Sequence, residues 1–161
     1  MEKVYGNYER IDRLIQVGKR RWLVYFGLFE DANGKYIFQQ YLTVKPSLDD
    51  VKRMIINAIN SDTQEKIMSG FKWKGNIVWL SEANQLNYSR DFAIANYCEK
   101  KGEEYSLPTY KFGTDDAPVY YSFGTFDDFF QFNRSWANHI ADILSDCWNE
   151  KRNIVWDGYV V

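Results

Sequence analysis

The sequence predicts an α+β fold, in which antiparallel hairpins form a sheet packed with about three amphipathic helices. Two patterns lead to this prediction. Several segments are rich in aromatic and β-branched residues and are joined by short turns such as Asn33-Gly34. Other segments carry apolar residues every three or four positions, as in the stripe Val51, Met54, Ile55, Ala58 and Ile59. Hairpins that alternate with helices of this kind are typical of the α+β class.

Residues 1–45 are predicted to form a β-meander of two or three strands. Residues 8–17 fit two interpretations, a helix face or an alternating strand, and the turn signal at Gly18-Lys19 favours the strand. Residues 21–30 are dense in aromatic and β-branched types, which favours a strand. Asn33-Gly34 tolerates positive φ and predicts a hairpin, so that residues 35–44 return antiparallel.

Three helices are predicted from their capping residues. Ser47 precedes the apolar stripe described above, and Ser61 to Gln64 resembles a second cap that opens a short helical turn ending at Gly70. Ser81 caps a helix that ends near Lys101, with Gly102 as its stop signal. Thr125 caps the longest helix, which carries Lys151 and Arg152 at its end.

Two further hairpins are predicted between these helices. In residues 71–80, Phe71 and Trp73 share one face, and Gly75-Asn76 is predicted as the two-residue turn. Residues 109–123 form the second hairpin around Gly113, with Pro118 at a strand start or edge. Residues 153–160 are expected to add a short last strand.

Composition excludes several broad classes of protein. The 161 residues suit a single domain over 1–161, and a net charge of −2 with one compact basic run, at 18–21, argues against nucleic acid as a partner. No apolar run approaches the roughly 20 residues of a spanning helix, so no membrane is expected. The first residues, MEKVYGNYERIDR, contain no apolar region of the kind found in secretion signals, which predicts a cytoplasmic protein. Cys98 and Cys147 are expected to be buried thiols.

Few residues suggest catalytic or metal chemistry. The chain has one histidine, His139, and no pair of closely spaced cysteines, so neither a metal nor a cofactor is expected. No serine lies in a Gly-x-Ser-x-Gly elbow. The acidic pairs lie in turns or in the first turn of a helix, where acids favour the dipole. A hydrolase that uses His139 with a carboxylate is therefore a hypothesis, weighed against a half-buried histidine.

The candidate site lies in the stretch FKWKGNIVWLSEANQLNY, residues 71–88. Its aromatics and amides have two interpretations: a glycan- or peptide-binding face, or side chains that satisfy backbone groups of the adjoining hairpin. As the third helical residue after Ser81, Asn84 is expected to reach back to the cap N–H. Leu86, Ala93 and Tyr97 follow a different helical face, adjoined by Ile94. The candidate ligand-binding residues are Trp73, Trp79, Asn84, Gln85, Asn87, Tyr88 and His139.

The pattern from Gly70 to Tyr88, GFxWxGxxVWLSxxNQxNY, resembles the signature of an uncharacterised domain found in phage and prophage tail-associated proteins and in stand-alone bacterial proteins. The resemblance covers about residues 47–152 and includes His139 and Trp148 in the closing helix. Ala83 stands where that family often has an acid, and Cys147 where it has a glycine. The resemblance implies a phage or prophage context, with virion association as an alternative location, and no catalytic residues. We expect a non-catalytic structural or interaction module with a protein partner or a homodimer.

Overall fold

The computed structural model describes residues 1–161 and confirms the α+β class, with 45% of the chain helical and 29% in strands. Its strands are β1 (Glu2–Tyr5), β2 (Arg13–Gly18), β3 (Arg21–Asp31), β4 (Gly34–Leu42), β5 (Phe71–Trp73), β6 (Asn76–Val78), β7 (Thr109–Gly113) and β8 (Pro118–Ser122). Its helices are α1 (Leu48–Ser69), α2 (Glu82–Lys101) and α3 (Phe126–Arg152). None of these helices is long and apolar enough to cross a membrane.

The chain divides into two compact units, one formed by Met1–Asp62 with Cys147–Val161 and the other by Thr63–Asp146. The first unit holds an antiparallel sheet of four strands in the order β1-β4-β3-β2. Its core packs sheet residues such as Phe26 and Phe38 with Val51 and Ile55 of α1. The second unit holds two hairpins, β5–β6 and β7–β8. The prediction of a single domain stays a prediction.

The sheet contains a strand that the sequence did not predict. β1 pairs along β4, with Glu2 opposite Gln39, and so lies at an edge of the sheet. The strand interpretation of residues 8–17 is confirmed for β2, which begins at Arg13. The hairpin between β3 and β4 is also confirmed, although its turn is Ala32-Asn33 because Asp31 pairs with Gly34.

The prediction of a second cap at Ser61 is wrong, since α1 continues without a break to Ser69. Asp62 is buried, and both of its carboxylate oxygens lie 2.9 Å from the Tyr36 hydroxyl, which donates to that group. Lys3 Nζ lies 2.7 Å from the same carboxylate. Asp62 is thus a buried residue in the middle of α1, not part of a helix start, and its contacts with Tyr36 and Lys3 compensate the burial of its charge.

The core of the second unit is largely aromatic. Phe129 and Phe132 of α3 are fully buried and meet Phe112 of β7 and Phe123. Tilted ring pairs of this kind stabilise a core beyond the area they bury. The aromatic richness of the sequence is therefore explained in large part by this core.

Two further predictions need correction. The β5–β6 turn is Lys74-Gly75, because Trp73 pairs with Asn76. Lys74 and Gly75 have φ of 46° and 82°, so both central residues lie in the left-handed region that a tight hairpin turn requires. The chain ends in a 3₁₀ helix at Trp156–Tyr159, so the prediction of a last strand is wrong.

Candidate functional site

The amides of the predicted site close the junction between β6 and α2. Ser81 is the N-cap, and its Oγ accepts a hydrogen bond from the Asn84 N–H at 3.2 Å. The prediction that the Asn84 side chain reaches back to the cap N–H is wrong, because its Nδ2 donates to the Trp79 carbonyl at 2.8 Å. Gln85 Nε2 donates to the Leu80 carbonyl, also at 2.8 Å. These two amides therefore satisfy carbonyls that no strand or helix bonds at this bend.

Asn87 differs from these two amides. Its side chain is exposed, whereas Asn84 and Gln85 are half-buried. The neighbouring Tyr88 is buried, and its ring packs on Tyr110 and Phe132 with centroid distances of 4.6 and 5.2 Å. Burial raises the pKa of Tyr88 to about 12. The amides and the tyrosine of the motif thus do not share one ligand-facing surface.

The two tryptophans of the site have different surroundings. Trp73 is half-buried with its ring edge-on to Phe132 at 5.6 Å, and its indole N–H is buried without a hydrogen-bond partner. Trp79 leaves 51% of its surface exposed at the end of the hairpin. The structure therefore brings Trp73 and Tyr88 together on Phe132, whereas Trp79 lies at the surface.

His139 is half-buried on α3. Its Nε2 lies 3.3 Å from the Lys66 carbonyl, and its ring packs on Phe71 at 5.4 Å between centroids. A Cβ on Gly70 would lie 3.4 Å from the imidazole, so the ring is closely enclosed on that side. No carboxylate hydrogen-bonds the ring, which has the environment of a packing residue.

A charged cluster at the β5–β6 turn was not predicted. Lys74 Nζ lies 2.6 Å from Asp128 and 2.7 Å from the Tyr121 hydroxyl, and that hydroxyl donates to Asp128 at 2.7 Å. These contacts raise the pKa of Lys74, since they stabilise its charged form. Burial raises the pKa of Asp128, but the hydrogen bonds from Lys74 and Tyr121 outweigh it, so the net shift is downward. The cluster ties a hairpin turn to β8 and to the start of α3.

No group of three or more His, Cys, Asp or Glu side chains is arranged to hold a metal ion. Both cysteines are unpaired, with Cys147 buried and Cys98 half-buried. Two further tyrosines of the second unit bond carboxylates, as Tyr121 does: Tyr105 donates to Glu99 and Tyr110 donates to Asp91.

The outer face of α2 is the least expected surface of the second unit. Leu86, Ile94 and Tyr97 expose 72%, 56% and 57% of their surface, and only Tyr88 and Ala95 of the whole helix are buried. Charged residues flank this apolar face: Glu82 lies in the first turn, and Lys100 and Lys101 lie in the last. Arg90 lies within the face and donates to Asp91 at 3.0 Å from Nε and 2.8 Å from a terminal nitrogen.

A groove of about 330 Å³ runs between α2 and α3. Phe92, Phe130 and Trp136 form aromatic walls, while Ser89 and Ala137 are small enough to leave the groove open. The remaining lining residues are Asn133 and Arg134. Asn133 is buried, accepting from the Trp136 indole at 3.1 Å and donating to the Phe129 carbonyl at 2.9 Å. Arg134 is the one charged side chain that lines the groove.

Sequence reasoning separated the Leu86, Ala93 and Tyr97 face from the amide face but assigned it no binding role. An apolar stripe of period three to four is also what a core-facing helix shows, so periodicity alone does not mark a contact surface. Comparison with known proteins found no matching family model, no matching curated protein and no matching solved structure.

Proposed function

We propose that the protein is a non-catalytic interaction module whose contact surface is the outer face of α2, formed by Leu86, Arg90, Ala93, Ile94 and Tyr97. One observation carries this proposal: three large apolar side chains on one side of a regular helix are more than half exposed. Single exposed hydrophobic residues are common, but several large ones on one side of a helix often mark a protein contact.

The charges at the two ends of α2 define the chemistry of the partner. Glu82 lies at one end of the apolar face, and Lys100 and Lys101 lie at the other. A partner helix that is apolar in its middle, basic opposite Glu82 and acidic opposite the lysines would be complementary. Helices that pair along their whole length through apolar stripes cross at about 20°, so their axes are nearly aligned.

The environment of His139 supports the non-catalytic part of the proposal. A general base needs hydrogen-bond reach to the proton it removes, and a second group usually orients it. His139 instead contacts the Lys66 carbonyl and the Phe71 ring. The hydrolase hypothesis therefore gains no support from the contacts of this histidine.

Photo-crosslinking tests the proposed surface directly. A benzophenone amino acid in place of Leu86 or Tyr97 would react with whatever covers α2 in the cells that make the protein. The matched control places the same residue at Lys72, which is exposed on β5. We expect one crosslinked species of defined mass from both α2 positions and none from Lys72. Equal labelling at all three positions, or none at any, would refute the proposal.

The groove between α2 and α3 favours a second candidate function, the binding of a small ligand or peptide side chain. Grooves of this volume with mainly aromatic walls are typical of small-molecule sites. Because Arg134 is the one charged lining residue, the ligand would combine an apolar body with a carboxylate. An NMR titration with 4-phenylbutyrate, compared with its neutral amide, tests this. Preference for the acid that Arg134→Gln abolishes would support the site, and no shift at the Trp136 indole would refute it.

We also propose the biological setting that the resemblance of residues 70–88 implies. In that setting the module is encoded by a phage or prophage and lies in the bacterial cytoplasm or in the virion. The sequence signature is its only support, since no family model matches the chain. Mass spectrometry of purified virions from a host that carries the gene would test the virion alternative.

A further inference from the structure

We infer that the partner of the α2 face is a second copy of this chain, with the two α2 helices packed antiparallel about a twofold axis. This inference rests on the proposed function, because it names the partner of that same surface. The partner helix described above must be apolar in its middle and must carry opposite charges at its two ends. Read in the reverse direction, α2 itself has opposite charges at its two ends and exposed apolar side chains between them, interrupted by Arg90.

One register pairs the charged ends of the face and four residues between them, with Ile94 at the margin of the contact. If Leu86 lies opposite Tyr97 of the second copy, the axis passes between residues 91 and 92. The same axis sets Arg90 opposite Ala93 and Glu82 opposite Lys101. At 3.6 residues per turn, these six residues lie within about 60° of the middle of the outer face. Each contact occurs twice, as expected for a twofold interface.

Neighbouring registers lose this complementarity. Placing Leu86 opposite Ile94 moves the axis onto residue 90, so that Arg90 faces Arg90 of the second copy. Placing Leu86 opposite Lys101 sets a cation against an apolar side chain and leaves Glu82 beyond the end of the partner helix. Like charges in register oppose pairing, and matched charges select one register. The favoured register therefore follows from charge as well as from shape.

Arg90 is compatible with a position near the axis. Two hydrogen bonds from its guanidinium to Asp91 compensate its charge within each copy. Across the interface it meets Ala93, whose small side chain leaves space for the long arginine stem. Arginine side chains are also enriched in protein interfaces for this combination of apolar stem and planar head.

The interface is formed by one helix from each copy, so its area is small. A 20-residue helix is about 30 Å long, and contacts of this size belong to the weak or transient class. We expect a monomer–dimer equilibrium with a dissociation constant on the order of 10 µM to 1 mM. An interaction of this strength would respond to local concentration, as in an assembly that holds many copies.

Charge exchange tests the register. Sedimentation equilibrium of the full chain over a range of concentrations measures the dissociation constant. Glu82→Lys alone and Lys101→Glu alone each turn two attractive contacts into repulsive ones, so each should weaken dimerisation about tenfold. The double variant restores both pairs with reversed signs and should return to the parent value. Asp142→Lys is the control, since it makes the same charge change at an exposed position of α3.

Mixing the two single variants provides a second measurement. In a heterodimer, the two lysines of the Glu82→Lys copy lie opposite the two glutamates of the Lys101→Glu copy. The mixture should therefore form heterodimers in preference to either homodimer. Far-UV circular dichroism of each variant confirms that α2 is intact. Leu86→Ser with Tyr97→Ser should abolish dimerisation without unfolding, because both side chains are exposed.

The outcomes separate this inference from the proposed function. A protein that stays monomeric at millimolar concentration, or a dimer unaffected by the α2 variants, overturns the inference. So does a crosslink from Leu86 to a species other than a second copy, although that result would leave the contact surface in place. Absence of any crosslink at α2 overturns the contact surface itself. Restoration by the charge exchange supports both.

Discussion

Replacing two asparagines of α2 separately by alanine tests whether the amide motif is architectural. Asn84 donates to the Trp79 carbonyl at 2.8 Å, while Asn87 is exposed one turn further along and its side chain forms no hydrogen bond within the chain. Alanine is the better helix former at both positions, by roughly 0.5 kcal/mol. Because that gain is shared, the difference between the variants isolates the hydrogen bond.

The expected values follow from that comparison. A net hydrogen bond contributes about 0.5–1.5 kcal/mol, so Asn84→Ala should be about 1 kcal/mol less stable than Asn87→Ala. Asn87→Ala should be as stable as the parent or slightly more stable. Urea unfolding, followed by circular dichroism and tryptophan fluorescence, measures both free energies of unfolding. Equal free energies for the two variants would show that the Asn84 amide does not stabilise the junction.

Three other substitutions give measurable outcomes. Burial raises the pKa of Tyr88 to about 12, so the neutral hydroxyl contributes to the free energy of unfolding below about pH 10, and this contribution is lost as pH rises towards 12. Phenylalanine does not titrate, so Tyr88→Phe should lose less stability than the parent between these pH values in urea unfolding. The pKa of Asp128 is lowered in the folded protein, so its carboxylate stabilises the fold above about pH 4, and this stabilisation is lost as pH falls through the pKa of the folded state. Lys74→Gln removes one cause of the lowered pKa, so the free energy of unfolding should fall less steeply with acid in this variant than in the parent. Phe132 is fully buried against several rings, and Phe132→Ala should cost about 3–5 kcal/mol in the same assay. A Phe132→Ala loss below 1 kcal/mol would contradict the aromatic core.

The elements that the sequence predicted well are those with local signals. Ser81 as cap and Gly102 as stop define α2 because the cap hydrogen bond and the left-handed glycine act within a few residues of the helix ends. The alternation of the aromatic Phe71 and Trp73 with an exposed lysine between them likewise predicts a strand from three neighbouring residues. Signals of this kind need no knowledge of the rest of the chain.

The errors arise where a distant residue decides the outcome. Ser61 to Gln64 resembles a cap, but Asp62 is engaged by Tyr36 and Lys3, which lie far away in the sequence. β1 is a strand because β4 offers it a free edge, a partner that no local pattern in residues 2–5 reveals. The Lys74 cluster depends in the same way on Tyr121 and Asp128, 47 and 54 positions further along the chain.

The candidate site shows the same division between local and distant information. Asn84 and Gln85 bond carbonyls only five positions away, so the architectural interpretation of the amides was within reach of the sequence. The sequence alone could not show whether the stripe at Leu86 and Tyr97 faces a core or solvent, since that depends on where α3 and the β7–β8 hairpin pack.

The amide and apolar faces of α2 together account for the composition of this helix. Its inward side contributes little apolar burial, with Tyr88 and Ala95 as its buried residues, so its N-terminal end depends on the amide bonds to the hairpin for its position. A helix fixed by polar contacts at one end can leave its large apolar residues for another surface without losing its place in the fold. Natural proteins retain such exposed apolar side chains against their solubility cost when a contact needs them. We therefore expect polar residues at Leu86 and Tyr97 to remove association and to leave the unfolding midpoint unchanged. Alanine at Asn84 is expected to lower the unfolding midpoint and to leave association unchanged.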